Sequence, residues 1–359
     1  MEVVDVAIVG GGPAGSTCAA FCAAAGLRTV LLEREKFPRE KVCGDCLNPA
    51  CWPVLRRLEV AERVRALPHG KLDAVEFIAI GGRKVHVDLP PGDEVAIKRS
   101  LFDDLLLNRA RELGVDVHDA AIVTAMRRSA SQNWKIDIVT QVITARFVVA
   151  ADGRNSTVAR LCDLFPKSVH ERVALQSHID LPPDFGNRVV LQFLPQGYSG
   201  QAPVNESELN LCLVAKPRDI DALKVWAMNE FVIPANQRWR TITPLTRAPL
   251  PPAHENLFLI GDAARVVEPF TGEGIYYALR SGELAAGAIA RIVRGVDRQL
   301  VSREFTHAHA GMYRGRLWIN RLARAAVLSP RIASYLVHAA QVQPSILRML
   351  TAKIVADTL

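Results

Sequence analysis

Three glycines near the start of the sequence have the spacing of a pyrophosphate-binding turn. Gly10, Gly12 and Gly15 form the pattern G-x-G-x-x-G. This spacing lets the backbone pass close to a pyrophosphate, whose negative charge can then lie at the N-terminus of the following helix. Glu33 follows about 20 residues later, where its carboxylate can accept hydrogen bonds from both hydroxyls of an adenosine ribose. These residues predict a dinucleotide site and leave open which dinucleotide it binds.

The segments around the glycines predict the elements that hold this turn. Residues 3–9 are an apolar, β-branched run typical of a strand, and an alanine-rich helix is predicted after Gly15. Residues 29–33 have the pattern of a second strand. A strand, a tight turn, a helix and a second strand are the context in which three such glycines bind a nucleotide.

Two later strands also end in short polar turns. The apolar run 142–150 leads to Asp152 and Gly153, and the run 257–260 leads directly to Gly261 and Asp262. Ligands of α/β sheets bind outside the carboxyl ends of the strands. We therefore expect both turns to face the ligand.

The three turns and the segment 268–279 resemble the FAD-containing flavoprotein monooxygenase superfamily. The segment 268–279 is most similar to the geranylgeranyl reductase branch of that superfamily, which residues 41–44 and 99–103 also resemble. The resemblance implies a p-hydroxybenzoate-hydroxylase-like fold with FAD extended across the first domain.

The resemblance also assigns roles to individual residues. Glu33 is implied to meet the adenosine ribose, Arg99 to lie along the cofactor and Asp262 to bind its ribityl and phosphate portion. The helix after Gly274 would direct its N-terminus at the flavin ring, where it favours negative charge on the reduced ring. The positions implied to contact FAD are Gly10, Gly12, Pro13, Ala14, Gly15, Glu33, Arg34, Cys43, Gly44, Arg99, Asp152, Gly153, Gly261, Asp262, Pro269, Gly272, Gly274 and Ile275.

A nicotinamide donor, NAD(P)H, is implied to bind transiently. The Asp152-Gly153 turn is linked in the family with both FAD and this donor. The sequence has no second G-x-G-x-x-G after a strand that would hold NAD(P)H separately.

The flavin performs the chemistry in this class, while protein groups hold and shield it. We assign no acid or base from the sequence. Cys43 is expected beside the flavin ring by resemblance to the reductases, and a thiol that only packs its loop is an equal alternative. Tyr198 and His178 are candidates for the substrate cavity, although a half-buried place in a sheet is the more frequent outcome.

We predict an α/β fold in which an FAD-binding Rossmann-like domain carries an inserted antiparallel β-sheet substrate domain and a helical C-terminal segment. The FAD-binding domain is predicted to comprise residues 1–70, 95–160 and 250–300. The substrate domain takes residues 71–94 and 161–249, and residues 301–359 form the C-terminal segment. Further predicted elements are a hairpin over 73–89, a helix from 99 to near 114, strands at 115–125 and 133–139, mostly strand over 171–215, a helix around 219–230, and a helix that residues 269–274 open and that runs to about 294.

Cysteine content and hydropathy narrow the environment of the protein. Seven cysteines, an odd number, argue against a disulfide framework. Cys43 and Cys46 have C-x-x-C spacing, which is compatible with a redox pair, but no second pair completes a zinc site. No uncharged apolar run of 18 residues and no basic leader occur. We therefore expect neither a membrane span nor a secretion signal, and a cytoplasmic location.

The net charge of +7 is concentrated near the C-terminus. Residues 291–350 contain ten arginines against two acidic residues. Arg314, Arg321 and Arg324 fall on one side of a predicted amphipathic helix. Such a helix is suited to peripheral association with an anionic membrane surface, and a solvated face packed on the enzyme is the commoner alternative. Nucleic-acid binding is not expected, because no known module is present.

Our leading functional hypothesis is an FAD-dependent oxidoreductase that reduces a C=C bond in an apolar small molecule, such as an isoprenoid or polyketide. Arg265 and Ile275 differ from the residues common in hydroxylases and favour a reductase. However, residues 197–203 lack the tryptophan usual in the reductases. The main alternative is a monooxygenase or halogenase that acts on an aromatic or polyketide substrate. Electron transfer to quinone and a non-catalytic binding module are two further alternatives.

Overall fold

The computed structural model describes residues 2–90, 92–166, 172–268 and 272–314. The strands are β1 (Val4–Val9), β2 (Thr29–Leu32), β3 (Cys46–Leu47), β4 (Gly70–Lys71), β5 (Ala74–Ile78), β6 (Lys84–Asp88), β7 (Val95–Ala96), β8 (Asp116–His118), β9 (Val123–Arg128), β10 (Trp134–Ile138), β11 (Val142–Ala150), β12 (Val173–Asp180), β13 (Arg188–Leu194), β14 (Gly197–Pro203), β15 (Glu208–Ala215), β16 (Arg240–Ile242), β17 (Ala253–His254) and β18 (Leu257–Leu259). The helices are α1 (Pro13–Ala24), α2 (Trp52–Arg57), α3 (Ala61–Arg65), α4 (Arg99–Glu112), α5 (Thr157–Leu161), α6 (Ile220–Glu230), α7 (Gly274–Val293) and α8 (Arg298–Gly311).

A parallel sheet forms the centre of the half of the fold that contains the three predicted turns. Its strands lie in the order β18, β11, β1, β2 and β8, and each neighbouring pair among them is parallel. The carboxyl ends of parallel strands meet at one edge, so Gly10, Glu33, Ala151 and Ile260 lie side by side there. The sheet thus brings the three predicted turns together although they are far apart in the chain.

Side chains alternate between the two faces of this sheet. Ile8 packs on one face in the core beneath helices α1, α4 and α7. Ala7 and Val9 pack on the other face against β9, β10 and α5. The parallel strands are therefore buried on both sides, which is why they appear in the sequence as nearly continuous apolar runs.

The second large sheet has seven strands in the order β16, β12, β15, β14, β13, β5 and β6. Neighbouring strands are antiparallel except β13 and β5, which run parallel. One face packs under α6, around Leu211 and Leu223. The other face carries Phe77, Leu191 and Tyr198. Three short strands form a third sheet in the order β3, β7 and β4. They occur where the chain passes from one large sheet to the other.

The structure confirms the predicted fold class and most elements, and it corrects one strand. Residues 115–125 were expected to form a single strand, but they form β8 and β9, which pair with β2 and β10 respectively. Ala120, between them, has a left-handed backbone with φ of 57°. This turn redirects the chain from the parallel sheet to an antiparallel ribbon.

The C-terminal predictions are described only in part. Within residues 301–359, α8 continues to Gly311, and Arg314 is the last described residue. Arg321 and Arg324 lie outside the described residues. Among the described helices, none is long and apolar enough to cross a membrane.

Candidate functional site

A cavity of about 710 Å³ lies between the carboxyl edge of the parallel sheet and the seven-stranded sheet. This volume is within the usual range for a small-molecule or cofactor site. The first half of its wall comes from the three turns and from residues 39–46. The second half comes from β5, β13, β14 and β15, and is mainly apolar.

Two glycines of the turn pack very close to neighbouring backbone atoms. Gly10 has φ of 106°, and a Cβ there would lie 2.5 Å from the Ala151 carbonyl oxygen. A Cβ on Gly15 would lie 1.8 Å from the Gly10 carbonyl oxygen. Only glycine allows the turn to pack against β11 and against α1 in this way. The N-terminus of α1, with Gly12 and Pro13, consequently faces the cavity.

Glu33 is fixed in orientation at the end of β2. It is 5% exposed, and its two carboxylate oxygens accept the backbone N–H groups of Gly11 at 2.6 Å and Glu35 at 2.9 Å. A carboxylate oxygen can accept more than one hydrogen bond, so both retain capacity for ligand hydroxyls. The predicted ribose-binding role is compatible with this geometry and stays a prediction.

Positive charge accumulates around the first half of the cavity. Arg99 donates two hydrogen bonds to the buried Asp103, at 2.6 and 2.7 Å, and Arg39 lies 3.0 Å from the same carboxylate. Arg154 lies 3.3 Å from Asp262. The described part of the wall carries six cationic and six carboxylate side chains, so an anion is favoured only locally, where Lys41, Arg39, Arg99 and Arg154 cluster.

Lys41 is the cation in this group that has no acidic partner within the part of the chain the structure describes. Its side chain lines the cavity. Burial, together with the nearby Arg154, lowers the pKa of Lys41 to about 8, although Asp262 opposes the shift. An anionic ligand would stabilise the ammonium form and raise this pKa again.

Asp152 and Asp262 both line the cavity and also shape their own turns. Asp152 accepts the backbone N–H of Val158 at 3.0 Å at the start of α5, and burial raises its pKa. Arg247 donates to the carbonyl oxygens of Asp262 at 2.5 Å and Ala263 at 2.8 Å, and thereby holds the second turn. Neither Arg154 nor Arg247 was predicted from the sequence, because both lie in irregular segments without a periodic pattern.

The loop around Cys43 is bound to the seven-stranded sheet. Its carbonyl oxygen accepts hydrogen bonds from Asn210 Nδ2 at 2.8 Å and from the Cys212 thiol at 3.2 Å. Asp45 in the same loop lies 2.8 Å from His178 Nε2. Burial raises the pKa of the Cys43 thiol, so the thiol form predominates at neutral pH. These contacts fix the position of Cys43 at the junction of the two halves.

His178 is therefore not placed in the cavity wall. It pairs with Asp45 behind the loop, whereas Tyr198 does line the cavity. Tyr198 is buried and its pKa is raised by that burial, so it remains a neutral phenol. Of the two residues suggested for the substrate cavity, only Tyr198 has the required position.

Most residues predicted to contact FAD lie in the cavity wall. The exceptions are Gly15, which packs behind Gly10, and Gly261, whose N–H donates to Ser281 Oγ at 2.9 Å. Pro269 lies outside the described residues. The others line the cavity: Gly10, Gly12, Pro13, Ala14, Glu33, Arg34, Cys43, Gly44, Arg99, Asp152, Gly153, Asp262, Gly272, Gly274 and Ile275.

A comparison with known families decides which dinucleotide the turn belongs to. The family model described as an FAD binding domain matches residues 3–184. The chain belongs to this FAD-binding family. The resemblance seen in the sequence is thus confirmed, and FAD is the dinucleotide. The described residues fit it, because they provide a glycine turn, an oriented carboxylate and unpaired positive charge for its phosphates.

Curated relatives include reductases and halogenating enzymes. The menaquinone reductase of Mycolicibacterium smegmatis is 29% identical, over 79% of this chain and 75% of the relative. The 1H-pyrrole-2-carbonyl-[peptidyl-carrier protein] chlorinase of Pseudomonas fluorescens is 27% identical, over 86% of this chain and 80% of the relative. The digeranylgeranylglycerophospholipid reductase 1 of Methanothermobacter thermautotrophicus is 27% identical, over 82% and 79%.

A solved structure shows the same fold. The flavin-dependent brominase Bmp2 matches with a TM-score of 0.80 and 21% identity, covering 99% of this chain and 95% of the brominase. The family match accordingly makes the protein an FAD-dependent enzyme, and its relatives include reductases and a chlorinase.

Lys41 yields a prediction about cofactor affinity. We expect Lys41→Met to weaken FAD binding at pH 7 by roughly 10-fold to 100-fold, because a charge-assisted hydrogen bond contributes about 1.5–3 kcal/mol. In the unsubstituted protein, FAD affinity should be constant below pH 8 and fall above it, as the ammonium group loses its proton around its pKa of about 8. Fluorescence titration of the apoprotein with FAD measures both effects.

The exposed Lys135 provides a matched control. Lys135→Met removes the same charge far from the cavity wall and should leave the affinity and its pH profile unchanged. An identical pH profile in Lys41→Met and the unsubstituted protein would contradict the assignment.

Proposed function

We propose that the protein uses FAD to reduce a C=C bond in an apolar small molecule of the isoprenoid or polyketide class. The observation that carries this proposal is the composition of the second half of the cavity. Its wall includes Phe77, Leu191, Val214 and Leu245, and it opens directly onto the half that fits FAD. A wall of this kind binds an apolar substrate by removing its surface from water.

The chain's own residues then have distinct tasks. The glycine turn, Glu33 and the cations hold the cofactor, and the Cys43 loop lies where the two halves meet. When bound, FAD would supply the hydride chemistry. The apolar strands of the second sheet would keep water away from the reacting groups. NAD(P)H is the proposed transient electron donor, by resemblance of the Asp152-Gly153 turn.

The relatives support reduction without deciding the substrate. Two of them reduce, by their names, a menaquinone and a digeranylgeranylglycerophospholipid. Both molecules carry long apolar prenyl chains, which is consistent with the apolar half of this cavity.

Oxygenation or halogenation is the second candidate. A relative of comparable identity is a chlorinase. Tyr198 and Gln201 also give the second half of the cavity polar groups that could orient an aromatic or polyketide substrate. The apolar character of the remaining wall is the reason we prefer reduction.

Oxygen dependence separates the two candidates. The FAD-loaded protein is reduced under anaerobic conditions and incubated with prenylated lipids, prenylated quinones and polyketide aldehydes. Reduction of a C=C bond reoxidises the flavin and gives a product that has gained two hydrogen atoms, and mass spectrometry detects this gain even after air has returned any hydroquinone to the quinone. If turnover instead requires oxygen and the product contains a new oxygen or halogen atom, the reductase proposal is wrong and the second candidate is supported.

A further inference from the structure

Glu94 is a carboxylic acid in the apolar part of the cavity wall. It directly precedes β7, and its backbone carbonyl accepts the N–H of Leu72 at 3.1 Å. Its side chain lines the cavity together with Cys46, Leu89 and Ala202. Leu72 and Ala202 belong to a small apolar cluster that joins the three-stranded sheet to the seven-stranded sheet. Glu94 thus lies on the substrate side of the cavity.

Glu94 is also close to the segment that precedes α7. Burial and, after it, the charge of Glu94 raise the pKa of Cys46, and a Cβ on Gly272 would lie 3.9 Å from the Cys46 Cβ. Gly272 lies at the turn before the helix that resemblance directs at the flavin ring. The carboxyl group therefore lies near the end of the substrate half that faces the cofactor.

The side chain of Glu94 has no protein partner in the described part of the chain. Glu94 as a whole is half-buried, but its Oε2 atom is buried without a hydrogen bond, and no cation forms an ion pair with it there. The fully buried carboxylates of this region are paired: Asp103 with Arg99, Asp45 with His178, and Glu268 with Arg172 at 2.7 Å. A buried carboxyl group without a partner costs free energy unless a ligand supplies one.

Burial also changes the protonation of this group. It raises the pKa of Glu94 to about 7, and no neighbouring cation counteracts the shift. The titratable groups that face it are the thiols of Cys46 and Cys51, whose own pKa values are raised and which stay neutral. A substantial share of Glu94 is therefore protonated at neutral pH, and a neutral carboxyl group can both donate and accept a hydrogen bond.

We propose that Glu94 is the polar anchor of the substrate site, and that it hydrogen-bonds the oxygen atom of a carbonyl or hydroxyl group on an otherwise apolar substrate. This inference rests on the proposed function, because it assumes that the second half of the cavity binds the substrate. It narrows the substrate class to apolar molecules with an oxygen function, such as prenylated quinones or alcohols. Pure hydrocarbons are disfavoured, since they would leave the carboxyl group unpaired.

A pair of probes tests the anchor by binding rather than by turnover. The probes are a prenylated naphthoquinone and the corresponding prenylated naphthalene, which differ in the two oxygen atoms. Their dissociation constants are measured on the FAD-loaded protein from the change in the flavin absorption spectrum. Glu94→Leu should weaken the quinone roughly 5-fold to 100-fold, from the cost of about 1–3 kcal/mol for a lost hydrogen bond. The naphthalene should bind with unchanged or higher affinity.

Two further variants make the result specific. Glu94→Gln keeps the shape and the hydrogen-bonding capacity, so it should retain most of the quinone affinity. Asp93→Asn is the matched control, because Asp93 is the neighbouring acid but is exposed and paired with Arg65. It should leave both affinities unchanged.

If Glu94→Leu fails to fold, infrared difference spectra of the unsubstituted protein and Glu94→Gln provide the second measurement. The quinone should shift a protonated carboxyl band that Glu94→Gln lacks.

Three results would contradict the proposed anchor, and two others would separate it from the proposed function. Equal weakening of both probes by Glu94→Leu, no weakening of either, or failure of both to bind the unsubstituted protein would overturn the anchor. If the quinone binds through Glu94 but no C=C bond is ever reduced, only the proposed function is wrong. If a prenylated hydrocarbon is reduced equally well by the unsubstituted protein and Glu94→Leu, only the anchor is wrong.

Discussion

Gly15→Ala is expected to abolish FAD binding and to destabilise the protein. The added Cβ would lie 1.8 Å from the Gly10 carbonyl oxygen, a backbone atom that no side-chain rotation can move away. Helix α1 must shift, and with it the N-terminus that faces the pyrophosphate. Overpacking of a closed site typically costs about 1–3 kcal/mol and occasionally more. The measurements are the flavin content of the purified protein and its thermal unfolding.

Gly287 provides the control for this substitution. It lies inside α7, and a Cβ there would meet nothing within 4 Å. Gly287→Ala should bind FAD normally and be stabilised by roughly 0.5–1 kcal/mol, because alanine is the better helix former. Full FAD occupancy in Gly15→Ala would show that the close approach of turn and helix is not needed for the site.

Arg99→Met is expected to have the largest effect on folding stability. Arg99 and Asp103 are both buried, and Asp103 would keep only Arg39 as a partner. Removing one member of a buried ion pair typically costs about 3–5 kcal/mol, since the remaining charge is left uncompensated. Unfolding in urea, followed by circular dichroism, measures the loss.

The double substitution Arg99→Met with Asp103→Leu separates the structural role of Arg99 from its predicted contact with FAD. Replacing both charges by apolar groups should restore most of the stability. If Arg99 also touches the cofactor, FAD affinity should stay low in this double variant. Recovery of both stability and affinity would show that Arg99 acts only by pairing with Asp103.

The two halves of the cavity are fixed to each other by polar contacts rather than by one continuous core. Asn210 and Cys212 hold the carbonyl oxygen of Cys43, and His178 holds Asp45 in the same loop. Arg172 and Glu268, each 2% exposed, add a buried ion pair just before the segment that leads into α7. These pairs connect the substrate sheet to segments that border the cofactor. The seven-stranded sheet and the cofactor half of the cavity are therefore held in one relative position.

The cofactor half of the site was largely predictable from the sequence. Gly10, Glu33, Asp152 and Asp262 each follow an apolar strand, and parallel strands bring their carboxyl ends to one edge. The position of these four residues in the folded protein could therefore be inferred from the sequence pattern alone. The family match then assigned FAD, as the resemblance had implied. The predicted domain boundaries and the FAD contacts of individual residues stay predictions.

Other parts of the site were decided only by the tertiary structure. Lys41, Arg154 and Arg247 come from irregular segments, where no periodicity indicates which way a side chain points. His178 was suggested for the cavity but pairs with Asp45. Packing decides which face of a strand meets a distant loop, and the sequence pattern alone does not show this.

Glu94 is the clearest case. By itself it is one acidic residue before a short strand, and it becomes distinctive only because the fold places it in the cavity wall with one carboxylate oxygen buried and without a cation. The sequence by itself determined the fold class and the dinucleotide turn, because both depend on local patterns along single strands. The absence of a charge partner around Glu94, among the residues described, depends on every neighbour in space and could be seen only in the folded protein.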